Sequence, residues 1–282
     1  MVAKSTTNYK LSLNFIRKLI EEDTGSAFAP EKLHCDFESA EINAVREVLI
    51  QTSIRLCYFH LLQSWKRYLS TKGFKKRIEN IPIFTDFWIM LCGVHCLDLT
   101  NDTLRQAVIR TIEEAVEHLN LQNAIDIANM SDFLQYLKDY YLGDNALFKP
   151  EEWCHGPQIL VDEDYSRTNN VAESLNRQLN RNFQESQGWN LVIENLHRHK
   201  KNSAIEFFAH QPIRSFGVRP KPAVKRPIRR YDSARLELIR SAVIEFETLP
   251  QDEQLECLST HIYDVGRLRR SIFRNPDERD EE

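Results

Sequence analysis

The sequence predicts an α/β chain that is mostly helical, and three observations lead to this prediction. Apolar residues recur at helical spacing through several long segments. Two short runs rich in β-forming residues each lead directly into such a segment. The 282-residue chain is 42% apolar without a run of 18 or more apolar residues, which is typical of a globular protein. We therefore expect one large domain or two small ones, with neither membrane span nor signal peptide, inside the cell.

The first sixty residues alternate helix and strand. Residues 9–20 place apolar side chains at i, i+3 and i+4, which predicts a helix. The segment "KLHCDFESAEINAVREVL" then has the pattern of a short strand, an acid at Asp36 and a helix. A second strand, "SIRLCYF", runs into a helix that carries Trp65.

The middle of the chain is predicted to be an all-helical insertion, about residues 61–165. Its most regular part, residues 83–142, is apolar at helical periods with short polar breaks. One break precedes Ser131, a suitable N-cap residue for the last helix of this part. Together with the flanking strands, the insertion belongs to a predicted domain over residues 1–200.

A basic, proline-rich linker is predicted over residues 201–231. Four prolines between residues 210 and 230 are incompatible with a regular helix. Residues 198–230 carry ten Lys and Arg against one acid, which suits contact with phosphates, a nuclear localisation signal in "KPAVKRPIRR", or a solubilising linker. Residues 232–282 are then predicted to form a C-terminal helix, over 232–249, and an acidic tail.

Asp36 stands where the first predicted strand ends. Side chains at strand ends of α/β sheets point into the crevice above the sheet, so this position suits a metal-binding carboxylate. The alternative is a helix N-cap, because Asp also satisfies the free amides at a helix start.

Glu173 is surrounded by polar residues within "YSRTNNVAESLNRQLN". On a helix, the residues three, four or seven positions away share its face: Asn169, Asn170, Asn176, Arg177 and Asn180. Asparagine is a weak helix former, and its amide can orient a carboxylate or contact a sugar or phosphate. The face is therefore either functional or a solvated polar surface.

The six cysteines are too sparse for a secreted disulfide scaffold, and we expect reduced thiols. Cys57 and His60 form half of a zinc-ligand pattern, which "HC" at residues 34 and 35 or "CH" at residues 154 and 155 could complete. The alternative is a buried Cys beside a hydrogen-bonded His. Cys92 and Cys96, one turn apart in an apolar helix, are predicted core thiols.

Three segments in this order, "CDFESAEINAV", "CYFHLLQSWKRYL" and "RTNNVAESLNRQLN", resemble the MULE transposase domain of Mutator-like elements, a DDE transposase family. The resemblance covers roughly residues 1–200 and implies an RNase H-like fold interrupted by helices. It also implies that Asp36 and Glu173 are catalytic acids that bind Mg²⁺ or Mn²⁺, and that Cys57 and His60 are structural. DNA would be the partner, and the nucleus the location.

The chain departs from the family pattern at its beginning. The family's first catalytic Asp lies tens of residues before the second, and none of the 35 residues before Asp36 supplies a fitting acid. We expect an incomplete RNase H-like core that does not cut DNA by itself, with self-association through an uncovered sheet edge. The alternative is a domesticated, non-catalytic module for nucleic-acid or protein binding. Candidate nucleic-acid contacts are Asn169, Asn170, Asn176, Arg177, Lys225, Arg226, Arg229 and Arg230.

Overall fold

The structure, a computed structural model, describes residues 4–156 and 230–270. Within these ranges the chain is mostly helical with two short parallel strands, which confirms the coarse fold prediction. The elements in chain order are α1 (Thr6–Thr24), β1 (Lys32–Cys35), α2 (Ser39–Val48), β2 (Ser53–Leu56), α3 (Tyr58–Thr71), α4 (Lys75–Asn80), α5 (Pro82–Gly93), a 3-10 turn (Val94–Cys96), α6 (Asp102–His118), α7 (Ala124–Leu137), a π-helical turn (Lys138–Leu142), α8 (Pro150–Trp153), α9 (Arg230–Thr248) and α10 (Gln251–Arg270).

The strand pair positions the site. β1 and β2 run parallel, with Cys35 paired to Leu56 in the last register position. Parallel strands need a crossover connection, and α2 provides it. Both residues of that last pair are buried. The carboxyl ends of the two strands therefore meet at one edge of the sheet, where α2 and α3 begin.

The helices beyond β2 share one core with the sheet. In α3 the apolar residues Leu61, Trp65 and Leu69 recur every fourth position and are fully buried. The Trp65 ring meets Trp153 edge to face at 6.2 Å and Tyr141 at 5.5 Å, an arrangement favoured by aromatic quadrupoles. The predicted insertion is thus largely helical as far as residue 156, and its rings pack into the core.

From Arg235 onwards, the C-terminal helices belong to the same compact unit as residues 4–156. α9 corresponds to the helix predicted over residues 232–249. α10 is a separate helix of 20 residues, and it packs most extensively against α5. Gly93 of α5 and Gly266 of α10 lie at this contact. The sequence predicts a helix only over residues 232–249 of this region, whereas residues 251–270 form a second helix that contributes to the core.

Helix boundaries differ from the prediction in α7. This helix begins after Asn123, whose side-chain oxygen accepts a hydrogen bond from the Ile125 amide at 2.8 Å. Ser131 lies in the interior of α7, so the prediction that a helix begins there was wrong. Among the described residues, no helix is both long and apolar enough to cross a membrane.

Candidate metal centre

Two chain segments that follow the strands bring the candidate ligands together. Asp36 comes directly after β1, and Cys57 directly after β2. The backbone amide of Cys57 donates to the Cys35 carbonyl at 3.0 Å, which extends the pairing of the two strands by one position. Cys57 is also the N-cap residue of α3, so His60 lies in the first turn of that helix.

One ligand atom each from Asp36, Cys57 and His60 lie within 4.8 Å of one another. Asp36 Oδ1 and His60 Nδ1 lie 3.0 Å apart. Cys57 is fully buried, whereas the His60 side chain is 22% exposed and that of Asp36 44% exposed. The three atoms therefore form a group that could hold a metal ion, with its open side at Asp36.

The surroundings of this group are acidic. Glu41, in the first turn of α2, has its pKa raised to about 7, first by burial and then by the negative charges of Asp36 and Glu38. Lys4 partly offsets these charges through an ion pair with Glu38 at 2.9 Å. A cation next to Asp36 would relieve the repulsion among these carboxylates. The burial of the Glu41 side chain is visible only in the fold.

A second set of polar side chains lies in the core behind α3. The His95 ring stacks on Tyr58 at 3.8 Å and lies 3.3 Å, at Nε2, from the Cys96 thiol. The backbone amide of His155 donates to the His95 carbonyl at 2.7 Å. His95, Cys96 and His155 are fully buried. Their contacts tie the 3-10 turn to the segment after α8.

The structure decides between some of the alternatives that the sequence leaves open for Asp36 and for the cysteines. The N-cap residue of α2 is Glu38, so the interpretation of Asp36 as that cap was wrong. Neither "HC" at residues 34 and 35 nor "CH" at residues 154 and 155 joins the metal-binding group found among the described residues. Cys92 and Cys96 are buried in the core and form no disulfide, as predicted.

Several predicted site residues lie outside the described part of the chain. They are Glu173, Asn169, Asn170, Asn176, Arg177, Lys225, Arg226 and Arg229. Arg230 is the first residue of α9, and its side chain is not described. The convergence of Asp36 with Glu173 therefore stays a prediction, as do the nucleic-acid contacts.

No family model, curated protein or solved structure matches this chain.

Proposed function

We propose that this chain is a transposase-derived domain with an incomplete RNase H-like core, related to DNA strand cleavage and transfer by a two-metal mechanism. The observation that supports this proposal is the position of Asp36. It directly follows one strand of a parallel pair, while the Cys-x-x-His segment directly follows the other. Ligands in open α/β sheets bind at such carboxyl ends. The acid and the Cys-x-x-His segment thus have the order and the relation that the resemblance implies.

In this proposal Asp36 and Glu173 hold Mg²⁺ or Mn²⁺. When bound, the metal ions activate a water or a DNA 3′-hydroxyl and stabilise the departing oxygen. His60 Nδ1 lies 3.0 Å from Asp36 Oδ1, so the second carboxylate oxygen of Asp36 is the one that would bind Mg²⁺ or Mn²⁺. The 44% exposure of the Asp36 side chain leaves room for a phosphodiester.

The chain by itself should not cut DNA. Three carboxylates hold the metal pair in the family that the sequence resembles, and this chain offers Asp36 and Glu173 for two of them. We expect no nicking of supercoiled plasmid in Mg²⁺ or Mn²⁺ above the level of an Asp36→Asn variant. Nicking that disappears in this variant would contradict the predicted inactivity.

Hydroxyl-radical mapping with Fe²⁺ tests the shared metal position directly. Fe²⁺ in a Mg²⁺ site, with ascorbate and peroxide, cleaves the backbone near the ion. We expect cuts near residues 36 and 173, competed by excess Mn²⁺ and lost together in Asp36→Asn. Glu47→Gln is the matched control, because Glu47 is a half-exposed acid of α2 paired with Lys10. Cuts near residue 36 alone would refute the catalytic assignment.

The second candidate is a non-catalytic nucleic-acid-binding module, favoured by the basic stretch at residues 198–230. Positive side chains that contact phosphates release counterions, so the affinity falls steeply with salt. We expect metal-independent, salt-sensitive DNA binding that is lost when residues 198–229 are deleted. The same stretch would direct a fluorescent fusion to the nucleus. DNA affinity that persists in the deletion variant would exclude this candidate.

The exposed face of α1 supports self-association as a further property of such a module. Leu11, Phe15 and Leu19 recur every fourth residue and are 65%, 62% and 45% exposed. Lys10 is the basic residue in the first half of α1, whereas Glu21, Glu22 and Asp23 make its last turn acidic. A second copy packed antiparallel would cover the apolar face and bring Lys10 near the acidic last turn of the partner helix. Sedimentation should therefore give a dimer that Phe15→Glu dissociates, and a monomeric wild-type chain would exclude it.

A further inference from the structure

We propose that Asp36, Cys57 and His60 bind one Zn²⁺ ion, with a fourth coordination position left open. This inference goes beyond the proposed function, because it concerns a metal that the two-metal mechanism does not use. It depends on the convergence of a carboxylate oxygen, a thiol sulfur and an imidazole nitrogen within 4.8 Å.

The donor set selects the metal. Mg²⁺ takes oxygen ligands at near-ideal octahedral geometry, and a thiol and an imidazole are poor substitutes. Zn²⁺ is borderline-soft and binds cysteine, histidine and carboxylate side chains in combination. On binding, the Cys57 thiol loses its proton to solvent. The resulting thiolate and the Asp36 carboxylate then balance the charge of the ion.

The distances also suit a tetrahedral site. With Zn–N and Zn–O bonds of about 2.0–2.1 Å, two ligands of a tetrahedron lie about 3.3 Å apart. The Asp36 Oδ1 to His60 Nδ1 separation is 3.0 Å. One ligand atom from each of the three side chains lies within 4.8 Å of the other two, so small side-chain rotations would bring all three within bonding distance of one ion. Three protein ligands and one open position are typical of zinc sites that also hold a water.

The backbone holds this site in place before any ion binds. Cys57 and His60 are separated by one turn at the start of α3, a 14-residue helix. The hydrogen bond from Cys57 N–H to Cys35 C=O, 3.0 Å long, fixes Cys57 beside the residue that precedes Asp36. The amino-terminal end of a helix also stabilises a thiolate. Zinc would therefore join the end of β1 to the beginning of α3.

Cobalt titration of the full chain tests the site. Co²⁺ replaces Zn²⁺ in such sites, and a cysteine thiolate ligand gives a charge-transfer absorption in the near ultraviolet. We expect this band to saturate at one Co²⁺ per chain and to vanish when Zn²⁺ is added. If Co²⁺ added to the metal-free wild-type chain gives no such band, the proposal is refuted without the need for any variant.

Variants identify the ligands. Cys57→Ala should abolish the charge-transfer band, while His60→Gln and Asp36→Asn should weaken Co²⁺ binding at least tenfold. Cys257→Ala is the matched control, because Cys257 is a half-buried free thiol of α10, and it should bind as the wild type does. An unchanged band in Cys57→Ala would refute the site. Cobalt binding without iron-induced cuts near residue 173 would refute the proposed catalytic role and leave the zinc site standing.

Discussion

The contact between α5 and α10 should tolerate no side chain at its two glycines. A Cβ added at Gly266 would overlap the backbone carbonyl of Ile89, and one added at Gly93 would overlap the carbonyl of Ile262. Both obstructing groups are backbone atoms of the opposite helix, so no side-chain rotation relieves the overlap. Gly93→Ala or Gly266→Ala must therefore push α5 and α10 apart.

The size of the effect follows from two opposing terms. Alanine in a helix interior is more favourable than glycine by about 0.8–1 kcal/mol. Overpacking of a well-packed core costs about 1–3 kcal/mol, occasionally more. Because the obstruction is backbone, we take the upper end and expect a net loss of about 2 kcal/mol in the free energy of unfolding for each variant. For a domain of this size that corresponds to a Tm lower by about 4–8 °C.

Urea unfolding followed by circular dichroism measures this loss. Ser259→Ala, at an exposed position of α10, is the matched control and should change the free energy by less than about 0.5 kcal/mol. The double variant should lose less than the sum of the single losses, since one displacement relieves both overlaps. A glycine variant as stable as the wild type would refute the packing of α10 on α5.

Three further predictions concern titratable groups that are partly or fully shielded from solvent. Glu41→Gln should raise the free energy of unfolding near pH 8 in the presence of chelator. The pKa of the Glu41 carboxyl is about 7 in the folded protein and near 4.5 in the unfolded chain, so the wild-type protein loses stability as the pH rises from 4.5 towards 7. An unchanged pH profile would contradict this. Arg46→Ala should cost about 2–3 kcal/mol in urea unfolding, since it leaves the buried Glu152 carboxylate without the guanidinium 2.6 Å away; a loss below about 0.5 kcal/mol would refute it. His261→Phe should make the free energy of unfolding less sensitive to acid. Burial against Phe246 lowers the pKa of His261 in the folded protein to about 4, so the wild type loses stability as the pH falls from 6.5 towards 4. Equal acid sensitivity of the variant and the wild type would contradict it.

Local periodicity was sufficient to predict the strand, acid and helix order around Asp36. The apolar spacing of α2 and α3 is regular, and a parallel pair joined by a helix brings both strand ends to one edge. That topology also accounts for the proximity of Asp36 to Cys57 and His60. The sequence alone assigned these residues to separate roles, because a distance of 3.0 Å between Asp36 and His60 depends on side-chain directions.

The helix pair at the C-terminus could not be predicted in the same way. Gly266 interrupts the helical pattern of α10, and glycine in a helix usually indicates a weak point. Here its small size allows close contact with α5, which is a tertiary property. At Ser131 the sequence predicts a helix start that the structure does not have. Serine is a good cap residue, but it also occurs inside a helix where the buried neighbours, here Met130 and Phe133, hold the helix together by packing.

The most direct test of the proposed function is the position of the two acids in crystals of the full chain grown with Mn²⁺. The anomalous signal of manganese locates the ion, and the distances to the Asp36 and Glu173 carboxylates can then be measured. The proposal predicts that both carboxylates bind the same Mn²⁺ or a closely spaced pair about 3.5–4 Å apart. Asp36 and Glu173 on separate surfaces of the molecule would contradict it.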